Sequence, residues 1–144
     1  MMSARQQDVF MTITNKDCKD LYEENTSSRF KVCLEKYQDW SETHRTCALL
    51  AISCTTQNVG NQSRDIYICC NLVTEQRVGK TKECLLRRCL MRRDKYQFEE
   101  FTYPYYIPLK PLRGNYLEIY IKGDDGEEVS FLKGLTTCTL HLKE

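Results

Sequence analysis

Short runs in which apolar and polar residues alternate, broken by polar turns, dominate this chain. Period-two patterning of this kind marks strands with one buried face. Over residues 8–13, Val9, Met11 and Ile13 share one side and Phe10 the other, which predicts a first strand. Residues 15–28 form a polar connection carrying Leu21 and Tyr22. Phe30, Val32 and Leu34 then alternate with Lys31, Cys33 and Glu35 as a second strand, and Trp40 precedes a polar break. Residues 46–54 are apolar almost throughout, as suits a strand buried on both faces.

After the turn-rich loop 58–63, Ile66, Ile68, Cys70 and Leu72 face one way, and Tyr67, Cys69 and Asn71 the other. Gly79-Lys80-Thr81 predicts a turn, followed by a strand over 84–91. Leu85, Leu86, Cys89 and Leu90 also fall at helical spacing, so a helix over 82–94 is the alternative there. An aromatic stretch runs from Tyr96 through Phe98, Phe101, Tyr103 and Tyr105 to Tyr106. Leu117, Ile119 and Ile121 alternate again. Gly123-Asp124-Asp125-Gly126 is a hairpin signal, since Gly and Asp tolerate positive φ. Val129, Phe131 and residues 137–142 close the pattern. About eight strands at this spacing predict an all-β sandwich or jelly roll rather than an α/β fold.

The 144 residues fit one domain, 1–144, and 41% hydrophobic content is too high for a disordered chain. Lys+Arg 21 against Asp+Glu 20 leaves a net charge of +1, which argues against a surface wholly given to DNA or acidic membrane. The longest apolar run, 47–52, is too short to span a bilayer, and no run of signal-peptide length opens the sequence. The expectation is therefore synthesis in the cytoplasm, without secretion or a membrane partner.

Nine cysteines, an odd number, sit largely in alternating segments at irregular spacing, with no C-x-x-C pair. They read as reduced, buried thiols rather than a metal site, and no cofactor is expected. Sequons at Asn25 and Asn61 carry little weight in a cytosolic chain. His44 lies in a polar turn; His141, between Leu140 and Leu142, reads as a surface residue of the last strand. Either could serve a Cys or Ser nucleophile, but no hydrolase or phosphate-loop motif accompanies them. The acidic run 124–128 lacks the ligand spacing of a calcium loop and reads as a solvated hairpin tip.

Arg87, Arg88, Arg92, Arg93 and Lys95 concentrate positive charge in one short stretch. Two uses compete for it: a patch touching nucleic acid non-specifically, or a solvated strand or helix end paired with Glu99, Glu100 or the acidic hairpin. The neighbouring aromatics could stack on bases, fill the sandwich core, or line a subunit interface, for which Tyr103, Tyr105 and Tyr106 are the candidates.

Several segments together resemble penton-like minor capsid proteins of Polinton (Maverick) elements and the related adintoviruses. They are Thr12-Ile13-Thr14-Asn15; the stretch from Leu21 to Val32; Trp40 through Ala48-Leu49-Leu50-Ala51-Ile52-Ser53; and Ile66 to Val73 with Gln76, Val78-Gly79 and Leu85-Leu86-Arg87. Towards the end come Tyr106-Ile107-Pro108-Leu109, Leu117 to Ile121, Asp125-Gly126, Val129-Ser130-Phe131 and Thr139-Leu140-His141-Leu142, in the family's order. The connection from Cys54 to Asp65 is shorter than the insertion that relatives carry there.

The resemblance implies a single jelly roll with Greek-key strand order. It also implies self-association as a pentamer at a capsid vertex, a major capsid protein of the same element as partner, and a place in the virion after assembly in cytoplasm or nucleus. It implies no enzymatic activity. The alternative is a host-domesticated or truncated β-sandwich that binds a protein or carbohydrate; an enzyme using Cys and His is the third.

Overall fold

The computed structural model describes residues 8–34, 45–57, 64–92, 95–111 and 114–143. They form eleven strands and no helix. In chain order these are β1 (Val9–Thr14), β2 (Arg29–Cys33), β3 (Thr46–Thr56), β4 (Arg64–Cys70), β5 (Gln76–Val78), β6 (Thr81–Glu83), β7 (Leu85–Met91), β8 (Tyr96–Glu100), β9 (Ile107–Pro108), β10 (Tyr116–Lys122) and β11 (Leu132–Lys143). One sheet runs β1-β11-β3-β8, with β9 added beside β3; the other runs β2-β10-β4-β7. Every pairing is antiparallel. The chain passes from sheet to sheet in Greek-key order, which makes the protein a single jelly roll.

The alternating positions meet between the sheets. Met11 and Ile13 from β1, Phe30 and Val32 from β2, and Ile66 and Ile68 from β4 are buried there. Leu117, Ile119 and Ile121 of β10 join Leu140 and Leu142 of β11 from the opposite sheet. Burying each such side chain contributes about 1.5–3 kcal/mol, so this layer supplies most of the driving force for folding.

β3 is buried on both faces only at its start, at Cys47, Ala48 and Leu49; from Ile52 onward it alternates. Its outer face at Ala48 pairs with His141. Cys69 points away from the core yet is fully covered, with Glu83, Lys122 and Cys84 for neighbours near the β5–β6 hairpin.

The helical alternative over 82–94 is overturned: the segment pairs with β4 as β7. A register shift explains the misleading spacing. Ile68 pairs with Arg87 and Cys69 with Leu85, so Leu86 is the extra residue of a bulge and turns into the core.

The 123–126 turn forms as expected, with Gly126 at φ 80. Beyond it the hairpin is brief. A bridge joins Lys122 to Glu128 and the Val129 amide donates to the Ile121 carbonyl, before the chain crosses to β11 in the other sheet. Trp40, His44, the 58–63 loop with Asn61, and Arg93 lie outside the described residues.

Candidate assembly surface

The two sheet orders place β7 and β8, both edge strands, at one end of the sandwich and β1 and β2 at the other. The basic run belongs to the first end. Arg88 projects outward from β7 and pairs with Asp65 of β4 at 3.3 Å, both side chains partly exposed, so this pair contributes little to stability. Glu99, Glu100 and the acidic hairpin, the expected counter-charges, form no ion pair with the run among the described residues.

Arg87 behaves differently. Its guanidinium stacks between Phe101, 4.2 Å from the ring centroid, and Tyr105, 4.3 Å away. Its Nη1 donates to the Tyr103 carbonyl at 2.8 Å. Held against both rings and bonded to that carbonyl, Arg87 works as a strut that holds segment 101–105 against β7. Arg92 is exposed, and its backbone N–H and C=O are both held by the Gln97 side chain across the β7–β8 turn.

The aromatic stretch does not fill the core. Tyr96 and Phe98 stand on the outer face of β8, 64% and 57% exposed, while Tyr103 and Tyr105 are 81% and 61% exposed. Phe101 alone among these packs against the core. Leu90, on the outer face of β7, is a further exposed apolar side chain at this end. A half-open cleft of about 460 Å³ lies between β7 and the 105–107 segment, lined in part by Gln76, Leu85, Arg88 and Tyr105.

Tyr106 departs from its neighbours. It is half-buried, and its hydroxyl meets Nδ1 of His141 at 2.8 Å. The expectation of a surface His141 is corrected: the ring is only 7% exposed. It does point away from the core, as strand alternation requires, but Phe10 stacks on it at 4.3 Å and 8° while Tyr106 closes edge-on at 5.5 Å. Nε2 lies 3.3 Å from Asp8 Oδ2, within ion-pair distance but without hydrogen-bond geometry. This cluster pins β1 to β11 on the outer face; no nucleophile takes part in it.

The cysteines hold free thiols, most of them buried. Burial pushes the Cys47 thiol up to about 12 and the Cys54 thiol to about 11; Cys70 and Cys138 are also raised. Thiols held protonated in this way are poor nucleophiles and poor metal ligands. No group of three or more metal-ligating side chains occurs among the described residues. The acidic hairpin borders a cavity of about 380 Å³ together with Arg64 and Asp65.

At the opposite end, the 15–28 connection closes over β1 and β2. The Asn15 side chain accepts from the Thr136 amide at 2.8 Å and donates to the Gly134 carbonyl at 3.0 Å. Asn25 makes the same two-point contact with Lys31, through its N–H and C=O, both at 2.9 Å. With both polar atoms of its amide engaged and the residue buried, the Asn25 sequon is structural. Asp20, Leu21, Glu23 and Glu24 stand exposed at the tip of this connection. These exposed residues were not singled out as a surface from the sequence, where Leu21 read simply as part of a polar loop.

No protein-family model matches the chain, and no curated protein matches it in sequence.

Proposed function

We propose that this chain is a structural minor capsid protein of penton type, from a Polinton-type double-stranded DNA virus or element, which assembles as a ring at a capsid vertex. The observation that carries the reading is the strand order β1-β11-β3-β8 over β2-β10-β4-β7. That order is the jelly roll which the sequence resemblance implies, and the motifs of the resemblance fall in register with it. Ile107-Pro108 is β9, Leu117 to Ile121 lies in β10, Asp125-Gly126 is the turn, and Thr139 to Leu142 lies in β11. A sandwich with open strand edges at β7 and β8 on one end and at β1 on the other suits lateral packing around an axis, through contacts that close into a ring. Under this reading the chain performs no reaction. Its partners are copies of itself and the major capsid protein of the same element.

The test is the solution mass of the reduced, purified chain over a concentration series. A species near five times the 17.0 kDa monomer supports the ring. A monomer at every concentration overturns ring assembly and favours the alternative, a repurposed or truncated sandwich that binds a protein or carbohydrate.

A further inference from the structure

We propose that the two ends of this sandwich dock onto each other between copies of the chain. The β7/β8 end of one copy, basic and aromatic, meets the β1/β2 end of the next, acidic and tipped with apolar side chains. The inference rests on the assembly reading and names the contact surfaces within it.

Three observations converge. The first is where the exposed large apolar side chains lie. Leu90, Tyr96, Phe98, Tyr103 and Tyr105 gather at the β7/β8 end. Among the described residues, the others are Phe10 on β1, Leu21 in the 15–28 connection, and Leu135. Leu135 belongs to the same end, because its neighbours Gly134 and Thr136 are bonded to Asn15 and Ser27. Apolar surface confined to two opposite ends is what a head-to-tail contact buries, and surface of this kind marks interaction sites.

The second is charge. Arg92 and Lys95 are exposed at the β7–β8 turn, beside Arg88. The tip of the facing connection carries Asp20, Glu23 and Glu24, all exposed around Leu21, while Lys16 and Lys133 are exposed cations elsewhere at this end, besides Lys19 and the Glu118-paired Arg29. The lysine nearest them, Lys19, folds back so that its ammonium donates to the carbonyls of Glu23 and Asn25, leaving the carboxylates outermost. β8 carries two acids, half-buried Glu99 and exposed Glu100, both at the strand's far end from Lys95. Complementary potentials of this sort steer and register a contact.

The third is backbone. β7, β8 and β1 each pair on one side, so both ends present a strand edge able to accept a neighbour, whereas the outward groups of β2 at Arg29, Lys31 and Cys33 are taken by Thr26, Asn25 and Cys18. Because the two ends differ, each copy offers one of each. The contact is therefore heterologous and propagates around a ring. Nucleic acid is the weaker occupant of the basic end, since Arg87 is sheathed by two rings and Arg88 is paired with Asp65.

Charge reversal tests the contact in the full chain by sedimentation equilibrium at low salt. Arg92→Glu with Lys95→Glu reverses one end; Asp20→Lys with Glu23→Lys and Glu24→Lys reverses the other. Each set should weaken association by about tenfold or more, and the two sets combined in one chain should restore it. Phe98→Ser should weaken it too, with the denaturation midpoint unchanged at concentrations where both chains are monomeric. An oligomer untouched by either reversal overturns this contact and leaves the ring reading standing. A wild-type chain that stays monomeric overturns both. Reversals at Arg92 and Lys95 that release bound duplex DNA while leaving the mass unchanged overturn docking in favour of a nucleic-acid face.

Discussion

Asn71 shows how single side chains complete this fold. Its amide donates to the Tyr116 carbonyl at 3.1 Å and accepts from the Glu118 amide at 2.8 Å, so a side chain takes the place of a strand residue beside β10. Asn15, Asn25 and Gln97 do the same elsewhere. Asn71→Ala leaves two backbone groups without those partners and should cost about 1–3 kcal/mol in urea denaturation. An unchanged midpoint would show that water replaces the amide freely. The buried thiols give a second prediction. Folding raises the Cys47 thiol from 9.0 to about 12, so its contribution is fully present below pH 9 and is lost as pH rises through about 12. Between pH 9 and 11 the unfolded chain ionises this thiol and the folded chain does not. Cys47→Ala should therefore flatten the fall of stability in that window, by up to about 1.4 kcal/mol per pH unit. Parallel curves for variant and wild type would refute the assignment. None of the amide clamps was legible in the sequence, where Asn15, Asn25 and Asn71 read as polar connection, sequon and strand. A residue's type fixes its hydrogen-bonding capacity, while its partner depends on a strand brought in from far along the chain.

At the scale of the element, irregularities decide where side chains point. β11 pairs with β1 through one register and with β3 through another, shifting between Lys133 and Thr137 and again between Thr139 and Leu140. Gly134 sits in the first irregularity at φ 66, with open space where a Cβ would stand. Gly134→Ala should thus cost about 1–2 kcal/mol from backbone strain alone, and Gly134→Asn less, both read from denaturation midpoints. Equal stability of all three would mean that the loop relaxes out of the left-handed region. The bulge at Leu86 has the same lesson. Alternation along a strand is legible from composition, but one extra residue shifts every later side chain, and that residue is defined by the partner strand. Hence 82–94 kept a helical alternative in the sequence, and pairing with β4 removed it.

For the whole molecule, the core and the two ends make separable predictions. Ile119→Ala, fully buried between the sheets, should cost about 2–5 kcal/mol whatever the assembly state. Phe98→Ser and Leu21→Ser, both exposed, should stay within about 0.5 kcal/mol of wild type as monomers. A large loss in either would mean that these side chains serve the fold rather than a contact. Local pattern was enough for the all-β class, most strand positions, the burial of most thiols and the hairpin at 123–126. Each of these depends on periodicity or backbone preference within a few residues. It took the folded arrangement to make Arg87 a strut for segment 101–105, to cover His141, and to divide exposed apolar and charged groups between opposite ends. Those outcomes depend on which strands become sheet edges and which segments lie over them, and β1 meets β11 through contacts that span nearly the whole chain. No local pattern carries that information, because the side chains that cover a residue in this fold come from distant segments.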